Sequence, residues 1–156
     1  MRVTKYKTIL TEDRKAKLEK EFSINYQAMD RKLNSPDRVI KLARDVLRLH
    51  EQTEEYLYMV CMNIKLELTS VFELSHGNVN SSVVGIREMF QKALLANAVA
   101  IIVMHNHPSG DPTPSREDIQ VTKRMVEAGQ LLGIQVLDHI VIGQPGYSSL
   151  KEKGYM

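Results

Sequence analysis

Residues 98–104 (AVAIIVM), running without a break into residues 105–118 (HNHPSGDPTPSRED), decide the fold class and frame the chemistry. Seven consecutive apolar residues read as a strand buried on both faces. The Pro- and Gly-rich loop after it cannot prolong a strand or a helix. Ser115 then opens a helix with Val121, Met125, Ala128 and Leu132 on one side, and Gly133 closes it.

Outward from this unit, residues 134–143 (IQVLDHIVIG) read as the last strand, and Pro145-Gly146 turns the chain into a polar tail. Upstream, Ile86, Met89, Phe90, Ala93 and Leu94 recur at helical spacing and predict a helix over 86–96 packed on the sheet. Residues 56–63 (YLYMVCMN), 64–68 (IKLEL) and 69–74 (TSVFEL) read as strands of a meander, with turn signals at Asn63-Ile64-Lys65 and His76-Gly77-Asn78. Ser35-Pro36 opens a helix running to about His50, with Val39, Ile40, Ala43, Val46 and Leu47 as its apolar stripe. Strands and helices interleave, so the expected class is α/β, a mixed β-sheet flanked by helices. Two parts are expected: a basic N-terminal extension over 1–34, helical across 13–30, and a domain over 35–156.

The chain has 156 residues, 43% hydrophobic and 26% charged, a composition that excludes disordered and fibrous classes. The single Cys61 excludes an internal disulfide and reads as a small buried apolar residue. No window has the length of a signal peptide core or a membrane span, so a cytoplasmic protein without a membrane partner is expected. Net charge is +2, but residues 1–50 carry +6 and the remainder −4. A basic arm suits phosphate or an acidic protein surface, although alternating charges such as Glu12, Asp13, Arg14, Lys15 and Lys17 more often solvate a helix.

His105 and His107 stand two apart at the end of a strand, and the strand period of two turns both imidazoles to one side. Asp118 falls in the first turn of the next helix, and the intervening loop can return that turn to the strand end. Two imidazoles and one carboxylate leave an open fourth position on zinc, the pattern of a catalytic rather than a structural site. Taken singly, each feature has a plainer reading: a strand-end His is more often a hydrogen-bonded residue, and Ser115 with Asp118 is also a helix capping box. Their conjunction favours one divalent metal, zinc first, whose bound water serves hydrolysis. A hydrolase also needs a base, and Glu51, Glu54, Glu55, Glu73 and Glu88 are candidates that periodicity does not separate. Glu54 and Glu55 stand out because they precede an apolar strand. His139 reads as a satisfied core histidine rather than a group supporting the site. Ser109, Asp111 and Thr113 are explained by turn chemistry about as well as by a substrate groove.

A glutamate, then His-x-His, seven residues and Ser-x-x-Asp resembles the JAMM signature of the MPN/JAB metalloprotease superfamily. Closer still is the resemblance to the bacterial RadC family. It is carried by AIIVMHNHPSGDPTPSREDIQVT, LDHIVIG, SLKEKGY and NSSVVGIREMFQKALLANA, and covers roughly residues 36–156. The resemblance implies a cytidine-deaminase-like mixed sheet between helices and one zinc held by His105, His107 and Asp118. It also implies Glu55 as the base and Ser115 as a hydrogen-bond donor to the developing oxyanion. The substrate class it implies is a peptide or isopeptide bond in a protein. Gly85-Ile86 stand where a His-Pro pair is common, and the helix-hairpin-helix region of full-length relatives does not occur in these residues, which weakens a DNA-binding role.

The alternative, from another class, is a DNA-associated protein of repair or recombination whose metal centre is incidental or nucleolytic. The letters His-Asn-His suggest an HNH nuclease, but those residues are dispersed over a ββα unit rather than contiguous. A scaffold with a structural or dead site is a third reading. A zinc deaminase is disfavoured, since its ligands include a Cys-x-x-Cys pair.

Overall fold

A computed structural model describes residues 1–27, 31–77 and 85–156. Its seven strands form one mixed sheet in the order β2-β1-β4-β3-β5-β6-β7. The strands are β1 (Arg2–Leu10), β2 (Ala16–Asn25), β3 (Glu55–Met62), β4 (Leu68–Gly77), β5 (Ala100–Asn106), β6 (Gln135–Ile142) and β7 (Tyr147–Ser149). Three α-helices, α1 (Pro36–Asp45), α2 (Ile86–Leu95) and α3 (Arg116–Leu132), complete the described elements with a short 3-10 turn, Leu49–Glu51. The expected α/β class with helices flanking a mixed sheet is the observed one.

Alternation along the central strands sorts the core into two layers. Tyr58, Val60 and Met62 of β3 and Ala100, Ile102 and Met104 of β5 pack with Val39, Leu42 and Ala43 of α1. Their sequence neighbours Leu57, Met59, Cys61, Ile101 and Val103 pack on the other face with Met89 and Phe90 of α2 and Val121 and Met125 of α3. Two-sided burial explains why β5 is apolar from Ala100 to Met104. Cys61 is buried in the second layer, and burial pushes its thiol up to about 12, which leaves it unreactive.

Residues 1–27 correct the expectation of a helical extension. They form an antiparallel hairpin, β1 with β2, and β1 joins β4 in parallel at Lys5 and Val71. The turn closes through Thr11 N–H to the Lys15 carbonyl at 2.8 Å, with Arg14 left-handed at φ 63°. The charges that suggested a solvated helix repeat every two residues, as Lys15, Lys17, Glu19 and Glu21, and the two glutamates pair across strands. Lys7 meets Glu19 at 3.1 Å, and Lys5 meets Glu21 at 3.3 Å and Glu73 at 2.8 Å. Val3 is fully buried in the α1 layer, while Tyr6 and Leu18 pack against the α2 layer, so the hairpin joins the core on both faces of the sheet. The last part of the expected helix, 28–30, lies outside the described residues.

Three smaller corrections have local causes. Helix α1 ends at Asp45 rather than near His50, because Arg48 adopts φ 52° and Leu49 turns into the core. Residues 64–68 are not a strand of their own. The Asn63 carboxamide accepts from Lys65 N–H at 2.9 Å and Glu67 N–H at 3.1 Å, tying them into the β3–β4 turn. The Gly77 turn signal falls where β4 ends, at φ 95°, while Asn78 lies outside the described residues, as do residues 80–84 of the NSSVVGIREMFQKALLANA block. The supposed polar tail contains β7, where Ser149 Oγ donates to Asp138 at 2.6 Å and Leu150 is fully buried. Among the described residues, no helix is long and apolar enough to cross a membrane.

Candidate metal centre

β5 ends in His105 and Asn106, and its parity sends them to opposite faces. His105 continues the line of Ile101 and Val103 toward α3, while Asn106 follows Ile102 and Met104 toward α1. His107, two residues on, returns to the α3 side. The N-cap of α3 supplies the third group. Ser115 is extended at φ −72°, ψ 169°, and its hydroxyl accepts from Asp118 N–H at 3.0 Å. Asp118 Oδ2 in turn accepts from Ser115 N–H and from the Ser115 hydroxyl, each at 2.7 Å. The capping box and the carboxylate of the site are therefore one structure.

These elements bring His105, His107 and Asp118 together. The two Nε2 atoms stand 3.0 Å apart, His105 Nε2 lies 3.3 Å from Asp118 Oδ1, and His107 Nε2 lies 3.5 Å from Asp118 Oδ2. Zinc takes imidazole nitrogen and carboxylate oxygen at about 2.0–2.2 Å, so donors around a tetrahedral ion stand roughly 3.3 Å apart. Each imidazole lies near that distance from a different oxygen of Asp118, and the three residues each offer a ligand atom within 4.8 Å of the others, so this donor set could hold a metal ion.

Burial sets the electrostatics. His105 and Asp118 are 1% and 2% exposed. Burial alone would raise the Asp118 carboxyl, but the hydrogen bonds and charges of His105 and His107, with the Ser115 hydroxyl, hold it well below the usual carboxylate range. The Asp118 carboxylate raises His107 against its own partial burial, with smaller contributions from the Asp111 carbonyl and the Glu55 charge. A permanent anion beside two imidazoles is an environment that favours a cation between them.

The ring orientations are held from behind. His107 Nδ1–H donates to the Asp111 carbonyl at 2.8 Å, which leaves Nε2 facing the site. Loop 108–112 is itself braced: Gln144 N–H donates to the Gly110 carbonyl at 2.9 Å, and the Arg44 guanidinium bonds the Gly143, Pro145 and Gly146 carbonyls. His105 Nδ1 meets His139 Nε2 at 2.8 Å, and His139 Nδ1 meets Thr122 Oγ1 at 2.6 Å. His139 is thus the satisfied core histidine that its sequence position suggested, and one of its two partners is His105. Burial drives it down to about 3 and keeps it neutral.

The candidate bases separate by position. Leu57 pairs with His105 across β3 and β5, and the same register continued by two residues sets Glu55 opposite His107, on which its charge acts. Glu73 is committed elsewhere, to Lys5, Tyr58 and His76. Glu88 pairs with Arg87 in the first turn of α2, and Glu51 pairs with Arg48. Glu54 is exposed, and its backbone carbonyl accepts from Asn106 Nδ2 at 2.9 Å. Sequence reasoning passed over Asn106, which also accepts from Tyr56 N–H at 2.8 Å through Oδ1. Its carboxamide thus grips the residues on both sides of Glu55. The signal was available in its place between the two histidines, pointing the other way.

Comparison with known proteins agrees with this geometry. The family model of the RadC-like JAB domain matches residues 33–155. A UPF0758 protein of Caldanaerobacter subterraneus is 45% identical over 138 residues, 88% of this chain and 58% of the relative. One from Alkaliphilus metalliredigens is 46% identical over 89% of this chain and 59% of its own. A Methanosarcina barkeri protein of the same name is 47% identical over 81% of this chain and 54% of its own. The chain thus spans somewhat over half the length of these relatives. With the matched region extending from Leu33 through both histidines and Asp118 almost to the last residue, the chain belongs to the RadC-like JAB domain family.

Proposed function

We propose that this domain is a zinc-dependent hydrolase of peptide or isopeptide bonds. The observation that carries the proposal is the convergence of three donors, His105, His107 and Asp118, with the strand-end carboxylate of Glu55, whose charge acts on His107. His105, His107 and Asp118 would hold zinc, which would supply Lewis acidity and make water a better nucleophile near neutral pH. Glu55 accepts the proton of the attacking water at its carboxylate and returns it to the leaving amine. Ser115 donates to the oxygen of the scissile carbonyl, turning its hydroxyl away from Asp118 Oδ2 to do so. The backbone N–H of Ser115 keeps its own bond to Asp118, so the carboxylate stays oriented when the hydroxyl turns.

Its partner on this reading is a protein substrate rather than DNA. Lys5, Lys7 and Lys15 of the hairpin each pair with a carboxylate, which reduces the charge offered to phosphate. Metal analysis of the purified protein, followed by cleavage of a peptide library and an isopeptide-linked pair with added zinc, tests the proposal. Zinc at one per chain and cleavage abolished in Glu55→Gln are expected. Full activity in Glu55→Gln, or unchanged zinc content in His107→Ala, overturns it.

A further inference from the structure

We infer that Thr122 and His139 form a one-way hydrogen-bond relay that fixes the tautomer of His105, making them positioning residues for the metal site. The inference rests on the metal-site reading proposed above and adds two residues to it. Its starting point is a carbonyl. Thr122 Oγ1 lies 2.6 Å from the Asp118 carbonyl oxygen, one helical turn back on α3. A carbonyl only accepts, so the single hydroxyl proton of Thr122 is committed to it. The oxygen of Thr122 must then accept at its other contact, the 2.6 Å approach of His139 Nδ1. His139 therefore carries its proton on Nδ1.

His139 is completely buried, and its two nitrogens face a hydroxyl and an imidazole, with no carboxylate bonded to the ring. A neutral ring with Nδ1–H has a bare Nε2. That nitrogen accepts across 2.8 Å from His105 Nδ1–H, and His105 Nε2 is left with its lone pair directed at His107 and Asp118. With a single proton on the buried ring, reversing either of its bonds sets two acceptors face to face at the Asp118 carbonyl. The direction of the chain is thus imposed by backbone geometry, not by the ion.

The relay also closes a ring. It leaves the site at His105 on β5, crosses β6 at His139 and returns on α3 to the residue whose carboxylate completes the donor set. Two donors on different elements are so held at one separation by groups that touch no substrate. Outer partners of this kind typically set metal affinity by about 10- to 100-fold.

Thr122→Val keeps the shape of the side chain and removes the hydroxyl, while Thr122→Ser keeps the hydroxyl and removes a methyl. Zinc affinity measured by chelator competition should fall at least tenfold in Thr122→Val and stay within about threefold of the parent in Thr122→Ser. Imidazole nitrogen shifts of the metal-free parent protein should report His139 protonated at Nδ1, and that signature should be lost in Thr122→Val. Unchanged affinity in Thr122→Val, or a parent His139 protonated at Nε2, overturns the relay and leaves the metal site standing. A parent protein that binds no divalent metal overturns the metal reading, and the role given to the relay falls with it.

Discussion

Leu57 and His105 face each other across the antiparallel β3–β5 pair, and continuing this register by two residues brings Glu55 toward His107 of the candidate site, where its charge is felt. Proton transfer by a positioned side chain contributes about 10²- to 10⁴-fold to a rate. Glu55→Gln should therefore lose at least a hundredfold in turnover, while zinc stoichiometry measured by mass spectrometry stays at one. A parallel loss of zinc would make Glu55 a ligand instead.

Asn106 holds the backbone of Glu54 and Tyr56 through both ends of its carboxamide. Asn106→Asp keeps the acceptor and loses the donor, freeing one side of Glu55. Misplacement by about 1 Å can cost a hundredfold in rate. Turnover should drop in Asn106→Asp with zinc affinity within a few-fold of the parent. A variant that loses both together would mean that Asn106 supports the fold of the site as a whole.

His107 has its ring held above the ordinary histidine value, chiefly by Asp118. A raised value means the protonated ring stabilises the metal-free protein below pH 6.5, and that contribution disappears as pH rises through the folded-state value. Metal needs the bare Nε2, so protons and zinc compete for one atom. Zinc at a hundredfold excess over Kd stabilises by about 2.7 kcal/mol, roughly 5 to 10 °C in Tm for a chain of this size. The Tm gap between zinc-loaded and metal-free protein should widen steadily from pH 5.5 to 8. A gap independent of pH would exclude a histidine that titrates against the metal.

Gly143 has no room for a side chain, since a Cβ there would lie 2.4 Å from the Gly110 carbonyl and 2.7 Å from the Pro112 ring. Loop 110–112 carries the Asp111 carbonyl that orients His107. Gly143→Ala should cost about 1–3 kcal/mol by overpacking and weaken zinc binding at the same time. Denaturant titration and chelator competition measure the two effects, and full zinc affinity in a destabilised variant would uncouple loop and site.

Glu73 anchors the hairpin to the sheet by accepting from Lys5 Nζ at 2.8 Å and from the Tyr58 hydroxyl at 3.1 Å. Burial would raise its carboxyl, but Lys5 and His76 hold it below 4.5. A depressed carboxyl contributes stability that is present above pH 4.5 and is lost as pH falls through the folded-state value. Glu73→Gln should lower stability at pH 7 by about 1 kcal/mol, given the partial exposure of the pair, and flatten the acid limb of the Tm profile. An unchanged acid limb would mean that the hairpin is held by Val3, Tyr6 and Leu18 alone.

Local periodicity made much of the molecule legible. The β5 strand, the Ser115 cap, the Gly133 stop and the placing of His105 and His107 on one face follow from residues a few positions apart, because helix and strand repeat over those distances. The hairpin was misread for a related reason. Alternating Lys and Glu suit a solvated helix and a cross-strand ladder equally, and only the partner strand distinguishes them.

What the sequence by itself determined is the donor set, with its spacing along strand, loop and cap. Tertiary structure decided that Glu51, Glu73 and Glu88 pair elsewhere, that Asn106 brackets Glu55, and that His139 meets His105. The Glu73, Asn106 and His139 contacts depend on register between strands or on a side chain from a distant element, and pairing across a sheet is set by packing of the whole layer, not by any local repeat.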